Sequence, residues 1–287
     1  MNYRHAFHAG NHGDVLKHVV LLGLCEALAR KPAAAFALDT HAGRGSYDLS
    51  GGEAARTGES SAGFARLAGA APADPLVARY LAAVGACREA LANDDAYPGS
   101  PWLLAHALRE QDRIACCELQ PEEAAALKAR LRHDPRVAIH QRDGYAAIRA
   151  LLPPVVDGTR FARGLVLVDP PYEAQLAEFE IALRALREGL QRWPQATWML
   201  WYPIKQRRVL LPFLRQAANL PAKSALVAEL LVRADDSPLR MNGSGMLVLN
   251  VPYRFDRTLG PALGALAGAL GEPGAPRPRL EWLKQPA

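Results

Sequence analysis

Short apolar runs separated by helix-like stretches limit how this chain can fold more than any other feature of its sequence. The runs lie at 34–38, 114–119, 137–140, 165–168, 198–202, 225–232 and 246–251. Stretches between them place charges on one face and Leu or Ala on another, at 121–131, 145–151, 176–190 and 205–217. Parallel strands need a crossover helix and are buried on both faces, so their sequences are apolar without alternating. The pattern therefore predicts an α/β protein with a doubly wound, mostly parallel sheet.

The composition narrows the class of protein further. Hydrophobic residues make up 50% of the 287 residues and charged residues 22%, which excludes a disordered chain. No apolar stretch approaches the ~20 residues of a membrane span, so we expect neither a membrane helix nor a signal peptide. The cysteines at 25, 87, 116 and 117 form no C-x-x-C pair, which disfavours structural zinc and disulfides and indicates a reducing cytoplasm. A net charge of +5 agrees with a nucleic-acid partner without establishing one.

One interval interrupts the alternation of strands and helices. Residues 48–98 show only an Ala-rich helical pattern broken by glycines and a proline. We therefore predict a single α/β domain over residues 1–287, with a helical subdomain inserted at 48–98. Ahead of the first strand, a helix is expected to start near Asp14, a residue type that caps helix N-termini.

The strongest local signal for chemistry is the sequence Asp169-Pro170-Pro171-Tyr172, which directly follows the run 165–168. Ligands bind at the carboxyl ends of strands in an open α/β sheet. A purine amine is a poor nucleophile because its lone pair is delocalised into the ring. A carboxylate and a rigid carbonyl that both accept its hydrogen bonds favour localising that pair toward a methyl donor, and Tyr172 can stack on the base for ~1–3 kcal/mol. The alternative is an ordinary strand-to-loop turn, in which Asp169 caps and the prolines end the strand.

The turn after the first predicted strand offers a cofactor site. Its glycines, in Asp39-x-x-x-Gly43-x-Gly45, let the backbone approach a ligand closely. The turn lacks both the G-x-G-x-x-G spacing of a dinucleotide site and the Lys-Ser/Thr of a P-loop. A ligand with an adenosine part and no phosphates, such as S-adenosylmethionine, fits better. The alternative is that these residues form only a turn.

Acidic residues follow the next two strands. Glu118 closes the second strand, where a carboxylate can accept both hydroxyls of a ribose. Asp143 follows the third strand, where it can accept from an adenine amine while Gly144 leaves room for the ring. For each acid the alternative is a helix N-cap or a first-turn position. Suitable residues follow each of the first three predicted strands in turn, and this combination favours a site for S-adenosylmethionine.

The remaining polar positions allow more than one interpretation. Ser100 is typical of an N-cap, and its hydroxyl can face the helix or a ligand. Tyr3 can stack on a nucleic-acid strand or simply anchor the chain end. The N-terminal histidines lack the spacing of metal ligands, so we expect no metal site. Lys205, Arg207 and Arg208 belong to a basic cluster that either contacts RNA or is only solvated.

Taken together, these motifs resemble those of the J-type 23S ribosomal RNA adenine-N6 methyltransferases of bacteria. They occur in the family's order over nearly the whole chain: Tyr3 to His18 (YRHAFHAGNHGDVLKH), Asp39-Thr40-His41-Ala42-Gly43, Arg56-Thr57-Gly58-Glu59, Tyr97-Pro98-Gly99-Ser100-Pro101, Asp169-Pro170-Pro171-Tyr172 and Trp201-Tyr202-Pro203. DNA adenine methyltransferases and guanine-N2 enzymes share the motif at Asp169. The N-terminal block from Tyr3 to His18 is therefore what distinguishes this family from those enzymes.

The resemblance implies a class I S-adenosylmethionine-dependent, Rossmann-like methyltransferase fold with seven strands, the last of them antiparallel. It also implies cofactor contacts at His18, His41, Ser100, Glu118, Asp143 and Gly144. Asp169 is then the catalytic residue and Tyr3 a substrate contact, with Pro170 and Tyr172 completing the substrate site. The implied reaction methylates the N6 amine of an adenine in 23S ribosomal RNA. We expect a cytoplasmic monomer that needs neither a metal nor a membrane.

Two other functions share some of these residues. A DNA adenine methyltransferase would have the same turn at Asp169 but would usually bring a target-recognition domain, and the insert at 48–98 is short and not notably basic. A catalytically silent RNA-binding protein of the same fold would bind RNA without methyl transfer. The intact acids at the strand ends disfavour that alternative.

Overall fold

The computed structural model describes residues 7–51, 58–172, 174–238 and 241–286. The predicted substrate contact Tyr3 lies outside the described residues, as do Arg56 and Thr57 of the resemblance. Within the described residues the α-helices are α1 (His12–Ala29), α2 (Arg66–Ala70), α3 (Pro75–Leu91), α4 (Ser100–Ala107), α5 (Pro121–Leu131), α6 (Gly144–Leu151), α7 (Gln175–Arg192), α8 (Leu211–Ala218) and α9 (Phe255–Leu270). A π-helical turn, Ser61–Ala65, precedes α2, and a 3-10 turn, Arg207–Leu210, precedes α8.

The strands lie close to the predicted apolar runs. They are β1 (Phe36–Asp39), β2 (Ser46–Asp48), β3 (Ala96–Pro98), β4 (Arg113–Glu118), β5 (Val137–Gln141), β6 (Val155–Val156), β7 (Thr159–Arg160), β8 (Gly164–Val168), β9 (Thr197–Ile204), β10 (Ala225–Leu231), β11 (Gly243–Leu249) and β12 (Arg279–Lys284). The central sheet has eight strands, in the order β12-β10-β11-β9-β8-β1-β4-β5.

The strand directions confirm the predicted α/β class. Strands β5, β4, β1, β8 and β9 are parallel, whereas β11 runs antiparallel to β9 and β10. From β1 the chain forms β4 and β5 on one side and then returns to β8 on the other side of β1. The strand order therefore reverses at β1, and open α/β sheets bind ligands at the carboxyl ends of the strands where such a reversal occurs.

Helices cover both faces of the sheet, which explains why the strand sequences are continuously apolar. Helices α1, α3, α4 and α9 pack on one face, where Leu16 and Leu263 are buried. Helices α6, α7 and α8 pack on the other, where Ile148 and Leu186 are buried. Among the described residues, no helix combines the length and the apolar character needed to cross a membrane.

Helix α1 is buried along nearly its whole length and starts earlier than predicted. Its N-cap is Asn11, whose side-chain oxygen accepts a hydrogen bond from the Asp14 amide at 2.9 Å. Asp14 lies in the first turn instead, and its carboxylate accepts from the Gly10 amide at 3.0 Å. The prediction of a cap at Asp14 was wrong, because the Asn three residues earlier already supplies the acceptor.

The interval at 48–98 is closed at its base by a short antiparallel pair, β2 with β3. The π turn, α2 and α3 lie between these strands, and Tyr80 of α3 is buried in the same core as α1. The Pro-rich C-terminal segment, to which the sequence assigned no role, ends in β12. This strand pairs antiparallel with β10 and adds an eighth strand to the seven that were expected.

Candidate active site

A cavity of about 470 Å³ lies at the carboxyl ends of β1, β4, β5 and β8. This volume falls in the ~300–1,000 Å³ range of small-molecule sites. The cavity brings together the predicted cofactor contacts and the predicted catalytic residue, which are His18, His41, Ser100, Glu118, Asp143, Gly144 and Asp169. The predicted substrate contacts Pro170 and Tyr172 follow Asp169 in the same turn, but they do not line the cavity.

Glu118 ends β4, and backbone amides bind both of its carboxylate oxygens. The Gly43 amide donates to Oε2 and the Gln120 amide to Oε1, each at 2.8 Å. Gly43 has a φ of +61°, a conformation that glycine adopts without strain. The two bonds fix the carboxylate at the cavity wall, and its oxygens keep further lone pairs for other donors.

Asp143 and Gly144 join β5 to α6. Asp143 is the N-cap of α6, and its Oδ1 accepts from the Ala146 amide at 2.7 Å, so the capping alternative and the cavity position both hold. The reason for Gly144 differs from the predicted one. A Cβ at this position would collide with the carbonyl oxygen of Thr40. Glycine is required at position 144 because the turn after β5 packs closely against the turn after β1, and not because an adenine ring needs the space.

His41 faces the cavity as a neutral imidazole, because burial lowers its pKa to about 4. Thr40 Oγ1 donates to the Leu167 carbonyl at 2.9 Å and lies 2.8 Å from His41 Nδ1. The single hydroxyl hydrogen is already used, so Nδ1 must carry the hydrogen of this second bond. His41 therefore presents Nε2 as an acceptor. Its ring meets the Tyr145 ring edge-on, with centroids 5.1 Å apart.

His18 reaches the cavity from the buried helix α1. Its Nδ1 lies 3.1 Å from the Tyr97 hydroxyl, which lies 2.9 Å from the Tyr80 hydroxyl. Two tyrosines from the interval at 48–98 thus hold the imidazole in place.

Ser100 is the first residue of α4, and the N-cap of that helix is Gly99. The prediction of Ser100 as the cap was wrong by one residue, because the Pro101 that follows sits equally well one position further into the first turn. The Ser100 hydroxyl lies beside the buried Asp39. Burial raises the pKa of Asp39 to about 7, and the nearby Ser100 hydroxyl opposes that rise.

Asp169 belongs to a buried ionic group that the sequence did not lead us to expect. Lys17 Nζ lies 2.6 Å from Asp169 Oδ2 and 2.7 Å from Asp14 Oδ1. The Lys17 side chain is 4% exposed and that of Asp169 12%. Burial lowers the pKa of Lys17, but the two carboxylates outweigh burial and hold it well above its usual value. A signal existed, because a lysine inside an apolar helix needs a partner.

Tyr172 is oriented by contacts on the far side of the catalytic turn. Its hydroxyl donates to the Trp201 carbonyl at 2.7 Å. Its ring is tilted against Phe179 and Trp201, with centroid distances of 5.4 Å and 5.7 Å. The motifs at Asp169 and Trp201 are therefore linked directly.

Other residues that line the cavity were not predicted. Leu119 and Ile181 are large apolar side chains that remain 48% and 42% exposed there. Arg44, which stands between the two glycines of the first turn, points at the lining residue Glu123. Its Nε and Nη2 donate to the two carboxylate oxygens at 2.8 Å and 2.6 Å. Tyr145 and Glu178 complete this part of the wall.

The described part of the chain contains neither a disulfide nor a cluster of side chains that could hold a metal ion. No group of three or more His, Cys, Asp or Glu side chains there is arranged to hold a metal ion. Cys25, Cys87, Cys116 and Cys117 are buried and unpaired. Burial raises the pKa of the Cys25 thiol to about 12, which keeps it unreactive.

Comparisons with known proteins agree with this fold and identify the family of the chain. A family model described as "Ribosomal RNA large subunit methyltransferase D, RlmJ" matches residues 32–284. The protein named Ribosomal RNA large subunit methyltransferase J is 34% identical in Haemophilus influenzae, over 283 residues, and 34% identical in Escherichia coli K12, over 285 residues. Each match covers 99% of both chains. The crystal structure of protein LPL1258 from Legionella pneumophila, 28% identical, superposes with a TM-score of 0.82 over 96% of this chain and 98% of that one. The chain therefore belongs to the RlmJ family of S-adenosylmethionine-dependent methyltransferases of large-subunit ribosomal RNA.

Proposed function

We propose that this chain transfers the methyl group of S-adenosylmethionine to the N6 amine of an adenine in 23S ribosomal RNA, with Asp169 as the catalytic residue. The observation that carries the proposal is the placement of Asp169. It stands at the carboxyl end of β8, in the cavity wall, with Oδ2 held by Lys17 at 2.6 Å. A charge-assisted bond of this kind fixes the direction in which the carboxylate accepts a hydrogen bond.

The cavity residues fit an adenosyl cofactor. Glu118 offers fixed carboxylate oxygens to the ribose hydroxyls, and Asp143 offers an acceptor to the adenine amine. Leu119 and Ile181 present apolar surface to the faces of a purine. The remaining polar groups of the cofactor are assigned to the contacts that the family resemblance implies, which are His18, His41, Ser100 and Gly144. When bound, S-adenosylmethionine supplies an electrophilic methyl group on a positively charged sulfur, and the neutral thioether left after transfer is the leaving group.

The residues of the catalytic turn hold the substrate amine. Asp169 and the Pro170 carbonyl each accept one hydrogen of the N6 amine, which localises the nitrogen lone pair toward the methyl group. After transfer, Asp169 accepts the proton that the alkylated amine releases. Tyr172 stacks on the extruded adenine, with its ring held by the bond to Trp201. Tyr3, outside the described residues, contacts the RNA in this proposal.

The same proposal includes the oligomeric state and the setting of the enzyme. We propose a monomer that acts in the cytoplasm, in keeping with buried, unpaired cysteines and a ribosomal RNA substrate. The neutral thioether of S-adenosylhomocysteine leaves without help from a Lewis acid, so the scheme needs no metal.

The test compares the wild-type enzyme with Asp169→Asn, which keeps the shape of the side chain and removes its charge. Each is incubated with labelled S-adenosylmethionine and either unmodified 23S ribosomal RNA or DNA, and the product is digested to nucleosides. We expect label in N6-methyladenosine from RNA with the wild type, and a rate at least ~100-fold lower with the variant. Label in DNA alone, RNA binding without label, or near-normal turnover by the variant would each overturn the proposal.

A further inference from the structure

Two neighbouring helices are joined by a hydrogen bond between side chains that both line the cavity. The Tyr145 hydroxyl, on α6, donates to Glu178 Oε1, on α7, at 2.6 Å. Tyr145 directly follows Asp143-Gly144, and α7 begins just after the catalytic turn. The bond therefore connects the wall that is proposed to bind the adenosyl group to α7, the helix that follows the catalytic turn at Asp169.

Both partners are held in position before any ligand binds. The Tyr145 ring packs edge-on against His41, with an interplanar angle of 72°. Glu178 lies in the first turn of α7, where the helix dipole favours a negative charge. A carboxylate acceptor makes the bond stronger than one between neutral groups.

A second bond joins the same two helices away from the cavity. Arg149 Nε lies 2.7 Å from Glu188 Oε1, and neither residue lines the cavity. The Arg149 side chain is 68% exposed. Since this outer bridge also connects α6 to α7, the pair supplies an internal comparison. If loss of the Tyr145–Glu178 bond changes ligand binding and loss of the Arg149–Glu188 bond does not, the difference comes from the position of the first bond at the cavity.

We propose that Tyr145 and Glu178 form a clasp that retains the adenosyl group of the cofactor. Both side chains form part of the cavity wall, so the bond between them stiffens that wall, and a stiffer wall releases a bound ligand more slowly. The clasp slows dissociation of both S-adenosylmethionine and the product S-adenosylhomocysteine. This inference rests on the proposed placement of the adenosyl group at Glu118 and Asp143.

The decisive variant is Tyr145→Phe, which keeps the ring against His41 and removes only the donor. The full-length protein is titrated with S-adenosylhomocysteine by calorimetry, and the dissociation rate is measured by stopped-flow displacement. We expect Kd to rise about three- to tenfold through faster dissociation, which is less than the full strength of a hydrogen bond to a charged group, because this bond does not contact the ligand itself. In turnover, the loss falls on the KM for the cofactor more than on kcat.

Two further variants separate a clasp from a structural brace. Glu178→Gln keeps an acceptor for the Tyr145 hydroxyl, so we expect it to hold the ligand more tightly than Glu178→Ala. Arg149→Met removes the outer bridge between the same helices, and we expect it to leave the affinity for S-adenosylhomocysteine unchanged. If Arg149→Met weakens binding as much as Tyr145→Phe does, the cavity-side bond is only a brace and the proposal is wrong.

A variant of the cofactor site itself distinguishes failure of the clasp from failure of the proposed function. Glu118→Ala should weaken binding of S-adenosylhomocysteine strongly if the site is placed correctly. Weak binding by Glu118→Ala together with wild-type affinity and dissociation rate in Tyr145→Phe overturns the clasp and leaves the site standing. Wild-type affinity in both variants overturns the site and the clasp with it.

Discussion

Lys17 lies enclosed in protein between two carboxylates, and removing it would take its ammonium away from both of them. In Lys17→Met the stem of the side chain is retained, but Asp14 and Asp169 lose the ammonium that lies between them. We expect the free energy of unfolding to fall by ~3–5 kcal/mol, the cost typical of breaking a buried ion pair from one side. Methyl transfer should also fall sharply, because Asp169 loses the bond that orients it.

Chemical denaturation and a turnover assay with ribosomal RNA check this prediction. Lys223→Met, a change at an exposed lysine, is the control for loss of one positive charge. A Lys17→Met protein that unfolds at the wild-type denaturant midpoint would show that the buried group contributes nothing to stability. Transfer at the wild-type rate would show that it does not orient Asp169.

Single site residues could be predicted from the sequence when their role depends on neighbouring residues in the chain, and were missed when it depends on distant ones. Asp169, Glu118 and Asp143 were found because they directly follow strands, and the carboxyl end of a parallel strand is where α/β proteins place ligands. Lys17 was missed because its partner Asp169 is 152 residues away in sequence. Gly144 was predicted to make room for a ring, whereas the constraint is the carbonyl of another turn.

Strand β12 covers the edge of the sheet, and its removal would expose β10, whose residues are all buried. We expect a chain that stops after Pro278 to lose ~2–4 kcal/mol of unfolding free energy, from the apolar contacts of Leu280 and Leu283. Glu229, fully buried on β10, would also lose Arg279 at 3.5 Å. An uncovered apolar edge invites pairing between chains, so the truncated protein should self-associate.

Thermal unfolding and size-exclusion chromatography measure the two effects. The point variant Arg279→Met removes the ion pair while leaving the strand, so it separates the charge from the strand itself. Should the truncated chain unfold at the same temperature as the full chain and elute as it does, β12 would be dispensable for the sheet.

Helices and strands could be predicted from the sequence where a single pattern set their limits. The runs in the sheet were long enough, and bounded clearly enough, that the strands begin and end within a few residues of the predicted limits. Caps were less certain, because Asn11 and Gly99 compete with Asp14 and Ser100 for the same position. Strand β12 was not predictable, since its partner β10 lies about 50 residues earlier and its own sequence mixes charged with apolar residues.

Across the whole molecule, a net charge of +5 supplies only a modest attraction for RNA. Several arginines are already neutralised by ion pairs, since Arg207 and Arg279 approach Glu229, and Arg233 binds Glu272. Lys205 and Arg208, in contrast, are exposed just after β9, the strand next to β8 and Asp169. We therefore expect phosphate contacts from these exposed cations.

The double variant Lys205→Ala/Arg208→Ala should weaken binding of 23S ribosomal RNA and lower the salt dependence of that binding. Each phosphate contact contributes ~0.7–0.9 to the slope of log K against log salt, so the slope should fall by about one to two. Lys128→Ala/Arg132→Ala removes the same charge from exposed positions at α5, toward the other edge of the sheet. Equal losses of slope in the two double variants would mean that the attraction is unspecific.

Burial of helix α1 also has a consequence for the order in which the protein is made. This helix precedes every strand of the sheet, yet it packs against β11 and α9, which are formed by residues 243–270. Its apolar surface is therefore covered only after these distant residues have been synthesised, a situation typical of slow, long-range assembly. The Lys17 ammonium likewise needs Asp169, which lies 152 residues further along the chain. We therefore expect a growing chain to gain methyl-transfer activity only after the residues of β11 and α9 have been made.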